Sequence, residues 1–287
     1  MRDVNVEHER TRRRLPDGVF DGEGVAFLPG FLRGPELDDL RRAISAARRT
    51  PRAPSCERPH NVLMPLRWDD SAVGLVVSSV GRMERLRRTV GARDLRWISG
   101  YVSTKPARSP ALWWHQDWWC WDHSVSLERP AAQVAVLCYV DDTRRENGAL
   151  RILPGTHRRS IPLHALLPEA HAASADALAP DHPALRDHPA QRSIEAKAGD
   201  AVVVDYRLLH GAHANATGVN RDCLLLTFAP SWSTLPKDIQ GHLVQHPALP
   251  RQDEEPHIGW RSLLPTFDGP RSDLRLNRNA PASFVVT

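Results

Sequence analysis

His115 and Asp117 stand two residues apart in the stretch WWHQDWWCW, residues 113–121, with five tryptophans around them. Side chains on a strand alternate between its faces, so a histidine and an aspartate at i and i+2 point the same way and can close on one metal ion. A third ligand is then needed, and His210 is the best placed of the remaining histidines. It ends the apolar run AVVVDYRLL, at the rim where a buried strand would open onto a cavity. Two imidazoles and one carboxylate on one face of an octahedron leave three positions open, the ligand set of non-haem iron(II). Arg221 follows His210 by eleven residues, at the head of a further apolar run, CLLLTFAP. A hairpin between the two runs would return its planar guanidinium to the same cavity, where it could grip a carboxylate through two parallel hydrogen bonds.

These residues recur within an ordered set of motifs. HQD, then NGALRILPGTH, then GDAVVVDYRLLHGAHANATGVNRDCLLL resemble the phytanoyl-CoA hydroxylase family of iron(II)/2-oxoglutarate dioxygenases, and the resemblance runs from GVAFLPGFL to about Pro230. It implies a double-stranded β-helix, or cupin-like jelly roll. It also implies that His115, Asp117 and His210 are iron ligands and that Arg221 anchors the far carboxylate of 2-oxoglutarate. The cofactors implied are Fe(II), 2-oxoglutarate and dioxygen. Family members often set polar residues on the strand before the metal motif against the cosubstrate, and YVSTKP places Ser103 and Lys105 there. Lys105 reads equally as a surface lysine. Gln133, opening the next strand, is a further candidate contact. Cys223 stands two past Arg221, where relatives frequently have a small hydroxyl residue.

The reaction implied is oxidation of an unactivated C–H bond of a small molecule, by hydroxylation or by desaturation, epoxidation or ring closure. Related halogenases lack the carboxylate that Asp117 supplies, so halogenation is not expected. An arginine-heavy bacterial member with a long lid and an aromatic site fits the tailoring of secondary metabolites, as in antibiotic biosynthesis. Three readings compete with it: a non-oxidative cupin-type metal enzyme, an amino-acid hydroxylase and an acyl-CoA hydroxylase.

If the strand continues past Asp117, Trp119 and Trp121 share the parity of the ligands and face the cavity mouth, where their rings could stack on substrate. Trp114 and Trp118 then face the core. His123 is either a surface residue or a substrate contact. His157 in PGTH is read as shaping a turn, His213 as pointing away from the ligands, and His164, His171, His182 and His188 as solvated loop residues.

The elements that must position these residues are mainly β. LRWISGYVST, QVAVLCYV, LRILP, AVVVDYRLL and CLLLTFAP are short β-rich runs bounded by Gly, Pro, Asn or Asp, with an Asn147-Gly148 turn before one and Gly199-Asp200 before another. Ahead of them, Leu37, Leu40, Ile44 and Ala47 fall at helical spacing after Pro35, and SAVGLVVSSVGRMERLRRTV carries a second helical pattern. The stretch from Thr50 to Pro65 reads as loop. Residues 1–20 form a basic arm and residues 21–287 a single domain, in which the Ala-, His- and Pro-rich segment 163–192 is long enough to be a lid over substrate.

The 287 residues, 41% hydrophobic and 25% charged, are those of an ordinary globular protein with a sizeable core. A net charge of only +4, with acidic residues spread throughout, argues against a nucleic-acid partner. Four scattered cysteines contain no CxxC pair and indicate neither a zinc ribbon nor a disulfide framework. No apolar run approaches 18 residues and the polar N-terminus is not a secretory signal, so the expectation is a cytoplasmic monomer or homodimer with no membrane partner.

Overall fold

The computed structural model describes residues 19–287 apart from 51–55, 59, 173, 174, 176 and 257. Residues 1–18 of the expected basic arm lie outside the described residues; Phe20 lies in a short helix, α1 (Val19–Glu23), and is buried. Two antiparallel sheets carry the fold. The larger has the order β1 (Val25–Leu28), β9 (Ala201–Asp205), β6 (Val134–Tyr139), β11 (Arg221–Ala229), β4 (Arg96–Lys105), β3 (Asn61–Leu66), β2 (Cys56–Arg58). The smaller has the order β5 (Leu112–His115), β10 (His210–Ala212), β7 (Leu150–Ile152), β8 (Arg192–Ile194). This is a jelly roll whose sheets do not join into a closed barrel.

Alternation along the strands sorts core from site. On β11, Leu224, Leu226 and Phe228 enter the main core with Val102 of β4 and Val136 of β6, while Arg221, Cys223 and Leu225 line a cavity between the sheets. The helices cover the outer face of the larger sheet. In α2 (Pro35–Arg49) the buried residues are Leu40, Ala43, Ile44 and Ala47, one stripe at helical spacing, and Pro35 sits in the first turn where its missing N–H costs no bond. The second helical pattern is two helices, α3 (Ser71–Val77) and α4 (Val80–Val90). Ser79 accepts from the Arg82 amide and caps α4, dividing the run.

Two expectations change. The stretch read as loop contains β2 and β3, and Pro65 of β3 is compatible with its place near the edge of the sheet. β10 and β11 do not form a hairpin: β10 pairs with β5 and β7 in the smaller sheet, whereas β11 pairs with β4 and β6 in the larger. The chain therefore crosses between sheets, and Arg221 returns to the cavity from the opposite wall. Past β11 lie α5 (Lys237–Leu243), α6 (Ile258–Arg261) and an extended tail that pairs with residues 119–121. Among the described residues no helix is long and apolar enough to cross a membrane.

Candidate active site

His115 ends β5 and His210 begins β10, and the two are Cα partners across the antiparallel pair. That register brings their rings to 4.3 Å centroid to centroid. His115 Nδ1 lies 3.0 Å from the Trp113 carbonyl and His210 Nδ1 3.0 Å from the Leu208 carbonyl. A carbonyl only accepts, so each Nδ1 carries a proton and Nε2 is the ring atom turned to the site. Both Nε2 atoms face Asp117: His115 at 3.6 Å from Oδ1 and His210 at 3.4 Å from Oδ2. The carboxylate is held there because the chain leaves β5 at once, with Nε2 of the Gln116 side-chain amide donating to the Arg207 carbonyl and the Trp118 backbone amide to the Tyr206 carbonyl at 2.9 Å. The 205–210 turn is itself fixed by the buried Asp205–Arg207 pair at 2.9 Å.

Burial, and then the neighbouring His210, push the His115 pKa down to about 3, so its ring stays neutral at physiological pH. Burial pushes Asp117 up, but the imidazoles of His210, His171 and His115 outweigh it and hold the carboxyl well below the usual range. Two imidazoles whose Nε2 atoms converge on an ionised carboxylate suit a divalent transition metal. A further histidine stands at the cluster. His171 Nε2 is 3.1 Å from Asp117 Oδ1, and His115, Asp117 and His171 each offer a ligand atom within 4.8 Å of the others. His171 sits on an irregular segment with φ +66° and is a third exposed, so it meets the carboxylate from the segment 163–192, whereas His115 and His210 are fixed on paired strands.

A narrow cavity of about 110 Å³ runs from this cluster between the sheets to Arg221 and Lys105. These two are Cα partners on β11 and β4 and are both buried. Lys105 Nζ donates to the His60 carbonyl at 2.9 Å and to the Pro110 carbonyl, and Arg221 Nη2 donates to the Gly148 carbonyl at 2.8 Å. Gly148 has φ +89°, and a Cβ there would come within 2.6 Å of Lys105 Cγ, so the Asn147-Gly148 turn also roofs the cationic end. Burial, then Arg221 and Arg151, depress Lys105 to about 7. Asp117 is the only acidic residue lining this cavity among the described residues. The cavity thus has metal-ligand chemistry at one end and two cations without a carboxylate at the other. Ser103 lines it too, donating to Asn61 Oδ1 at 3.2 Å, and Cys223 presents a thiol there that burial keeps protonated.

The model of the phytanoyl-CoA dioxygenase (PhyH) family matches residues 20–223. The chain belongs to the phytanoyl-CoA dioxygenase family. As a PhyH-family member it is an iron- and 2-oxoglutarate-dependent dioxygenase. The L-proline trans-4-hydroxylase of Streptomyces griseoviridis is 29% identical over 260 residues, covering 82% of this chain and 91% of the relative. Among solved structures, HygX from Streptomyces hygroscopicus with nickel, 2-oxoglutarate and hygromycin B bound aligns with a TM-score of 0.54 at 18% identity, covering 76% of this chain and 87% of HygX. The epimerase SnoN from nogalamycin biosynthesis aligns at 0.53 and 19%, covering 79% and 84%. At such identities the structural likeness shows the fold.

In this PhyH-family chain a second, larger cavity of about 680 Å³ meets the first at Asp117. Trp119 lines it, stacked on His242 with centroids 4.6 Å apart and donating its Nε1–H to Gln133. Gln133 therefore belongs to this cavity and not to the cationic end, which corrects its expected place beside 2-oxoglutarate. β6 begins only at Val134, one residue past it, and the alternation along β6 that carries Leu137 and Tyr139 to the narrow cavity leaves Gln133 at the far end. Trp121 is not at the cavity mouth. Because β5 stops at His115, parity does not extend to residue 121, and the Trp121 ring packs on Phe284 at 4.9 Å in a core sealed by the C-terminal tail. His123 is not there either: its Nδ1 accepts from the Val125 amide and its Nε2 lies 3.2 Å from Asp238 Oδ2. Trp114 and Trp118 are fully buried. His157 meets the Asp21 carbonyl of α1 at 2.9 Å and His213 meets Ser193 Oγ at 2.7 Å, both away from the metal-ligand cluster.

Trp121 and Trp119 should consequently separate stability from selectivity. Trp121→Ala is expected to cost about 3–5 kcal/mol of folding stability while leaving 2-oxoglutarate affinity intact. Trp119→Ala is expected to change which substrates are turned over with a smaller shift in melting temperature. Thermal melts and a substrate panel on both variants read the difference, and a Trp121→Ala protein of unchanged melting temperature would contradict the assignment. Sequence reading missed Arg58, Tyr101, His171, His242 and Arg278, which line the larger cavity from β2, β4, the segment 163–192, helix α5 and the tail. Only Tyr101 carried a signal, its shared parity with Ser103 and Lys105 on β4.

Proposed function

We propose that this chain oxidises an unactivated C–H bond of a small molecule held in the larger cavity, with His115, Asp117 and His210 as the iron ligands and Arg221 and Lys105 as the anchors of 2-oxoglutarate. The observation that carries this reading is the meeting of two cavities at one carboxylate: a narrow one ending in paired cations, sized for a small dianion, and a wide aromatic one for a second reactant. Iron(II), when bound, supplies dioxygen activation coupled to oxidative decarboxylation of 2-oxoglutarate to succinate and carbon dioxide. The chain's own residues do the rest. Arg221 and Lys105 neutralise the far carboxylate and fix the length at which the keto acid end meets the ligands. The Trp113 and Leu208 carbonyls hold the proton on Nδ1 of His115 and His210, which turns Nε2 of each ring toward the metal position. The apolar walls, among them Leu137, Leu150 and Leu225, keep water from the reacting centre.

Segment 163–192 acts in this proposal as a lid, with His171 joining it to Asp117 and Ala184 packed on Trp113. Tailoring of a natural product is supported by fold neighbours titled for hygromycin B and nogalamycin. Hydroxylation of a cyclic amino acid is a second reading, favoured by the proline hydroxylase relative. The test is succinate release from 2-oxoglutarate by the iron-loaded protein across a panel of amino acids and natural-product precursors. Substrate-stimulated release only in air is the expected result. Turnover without oxygen or 2-oxoglutarate would replace the dioxygenase with a non-oxidative metal enzyme.

A further inference from the structure

The larger cavity holds two guanidinium groups that, among the described residues, no carboxylate neutralises. Arg278, on the C-terminal tail, is half-buried at the cavity wall, and its Nη1 donates to the Asp117 backbone carbonyl at 3.4 Å. Arg58, on β2, lies with its guanidinium carbon 5.6 Å from the centre of the Trp113 ring and donates to the His171 carbonyl. Among the described residues neither makes an ion pair, although two acids line the same cavity. Asp117 is enclosed by three imidazoles and Asp273 is exposed at the rim. Outside the two cavities several withdrawn arginines have acidic partners: Arg207 with Asp205, Arg151 with Asp187, Arg67 with Glu254. A partly desolvated guanidinium without a counter-charge is unfavourable unless a ligand completes it.

From this we infer that the substrate carries a carboxylate and that Arg278, supported by Arg58, receives it beside the metal-ligand cluster. The inference rests on the dioxygenase reading above and names the substrate class of that site. Charge balance supports it. Asp117 and the near carboxylate of 2-oxoglutarate balance a divalent metal, and Arg221 and Lys105 balance the far carboxylate, so an anionic substrate needs cations of its own on the substrate side. Among the described residues only Arg58 and Arg278 stand there with fixed positive charge. Because Arg278 is tied to the backbone of Asp117 itself, the carboxylate is held within a few bonds of the oxidised carbon, so the molecule is compact. Its body would lie over Trp119, whose ring is already backed by His242.

The test uses the nickel-loaded protein saturated with 2-oxoglutarate and, as probes, proline, pipecolate and indole-3-acetate, each against its primary amide, in titration calorimetry. At least one acid is expected to bind about tenfold or more tighter than its amide. Arg278→Gln is expected to remove that preference and Arg278→Lys to restore part of it, with 2-oxoglutarate affinity unchanged in both. Equal binding of acids and amides, absence of binding by every acid, or a preference that survives Arg278→Gln would each overturn the proposal. Failure of the wild-type protein to bind 2-oxoglutarate would instead overturn the dioxygenase reading, and this inference with it.

Discussion

Asp117→Ala is expected to abolish 2-oxoglutarate-dependent turnover and to weaken nickel or iron retention by at least about 100-fold, since losing even an outer-shell partner of a metal ligand costs 10- to 100-fold. The carboxylate is the one anion at the cluster, facing the two Nε2 atoms at 3.6 and 3.4 Å. Without it a metal would meet neutral imidazoles only and would carry its full charge into a buried site. Asp117→Asn separates charge from shape. The amide keeps an oxygen toward His171, now 3.1 Å from Oδ1, but supplies no negative charge. If charge is the decisive contribution, the asparagine variant loses nearly as much metal affinity as the alanine variant. The pH dependence has a defined sign: Asp117 is held below the ordinary carboxyl range, so it remains an ionised ligand on acidification until pH falls below that range. Metal retention by Asp117→Ala equal to that of the wild type, measured by equilibrium dialysis, would remove Asp117 from the site.

How much of this was legible in the sequence follows from where regular structure ends. Period-two alternation carries through β4 and β11, so Ser103 and Lys105, and Arg221 and Cys223, share a face within their strands, and the family resemblance then pointed both pairs at one cavity. His115 and His210 were legible because each stands at a strand end, and antiparallel pairing then sets them opposite one another. The same reasoning failed four residues beyond Asp117. β5 had ended, the chain was following the 205–210 turn, and Trp121 went to the core with Phe284. Arg278 and His171 lie on segments with no repeating geometry, where sequence spacing carries no direction. The return of Arg221 was foreseen but its route was not, because an eleven-residue link fits a hairpin within one sheet as well as a crossing between two. Pro65 and the surrounding arginines hid β3, since edge-strand composition resembles that of loops.

The second large effect is expected at the cationic end of the narrow cavity. Arg221→Gln leaves the far carboxylate of 2-oxoglutarate facing Lys105 alone, and removing one partner of a buried charge pair costs about 2–5 kcal/mol, a rise in Kd of roughly 30-fold to several thousand-fold. Lys105 makes that affinity pH-dependent. In the free protein its pKa is depressed to about 7, chiefly by burial and then by Arg221 and Arg151, so it is charged below that pH and neutral above it. An incoming carboxylate favours the ammonium form and raises the pKa, so binding above pH ~7 takes a proton from solution, and affinity falls by up to about tenfold per pH unit. For the fold alone the sign is opposite: the unfolded lysine binds its proton more tightly, so this group's contribution to stability rises between about pH 7 and its ordinary value near 10.5. Calorimetry of 2-oxoglutarate with nickel-loaded protein at pH 8, in two buffers of different ionisation enthalpy, reads the proton directly. Lys105→Met should bind more weakly at pH 6.5 and lose the slope. Gly148→Ala, which would press on Lys105 Cγ from 2.6 Å while moving the carbonyl that orients Arg221, should weaken binding and retain the slope, because both cations are still present. A wild-type affinity that is flat from pH 6.5 to 9 would mean that Lys105 does not carry the carboxylate and that Arg221 holds it alone.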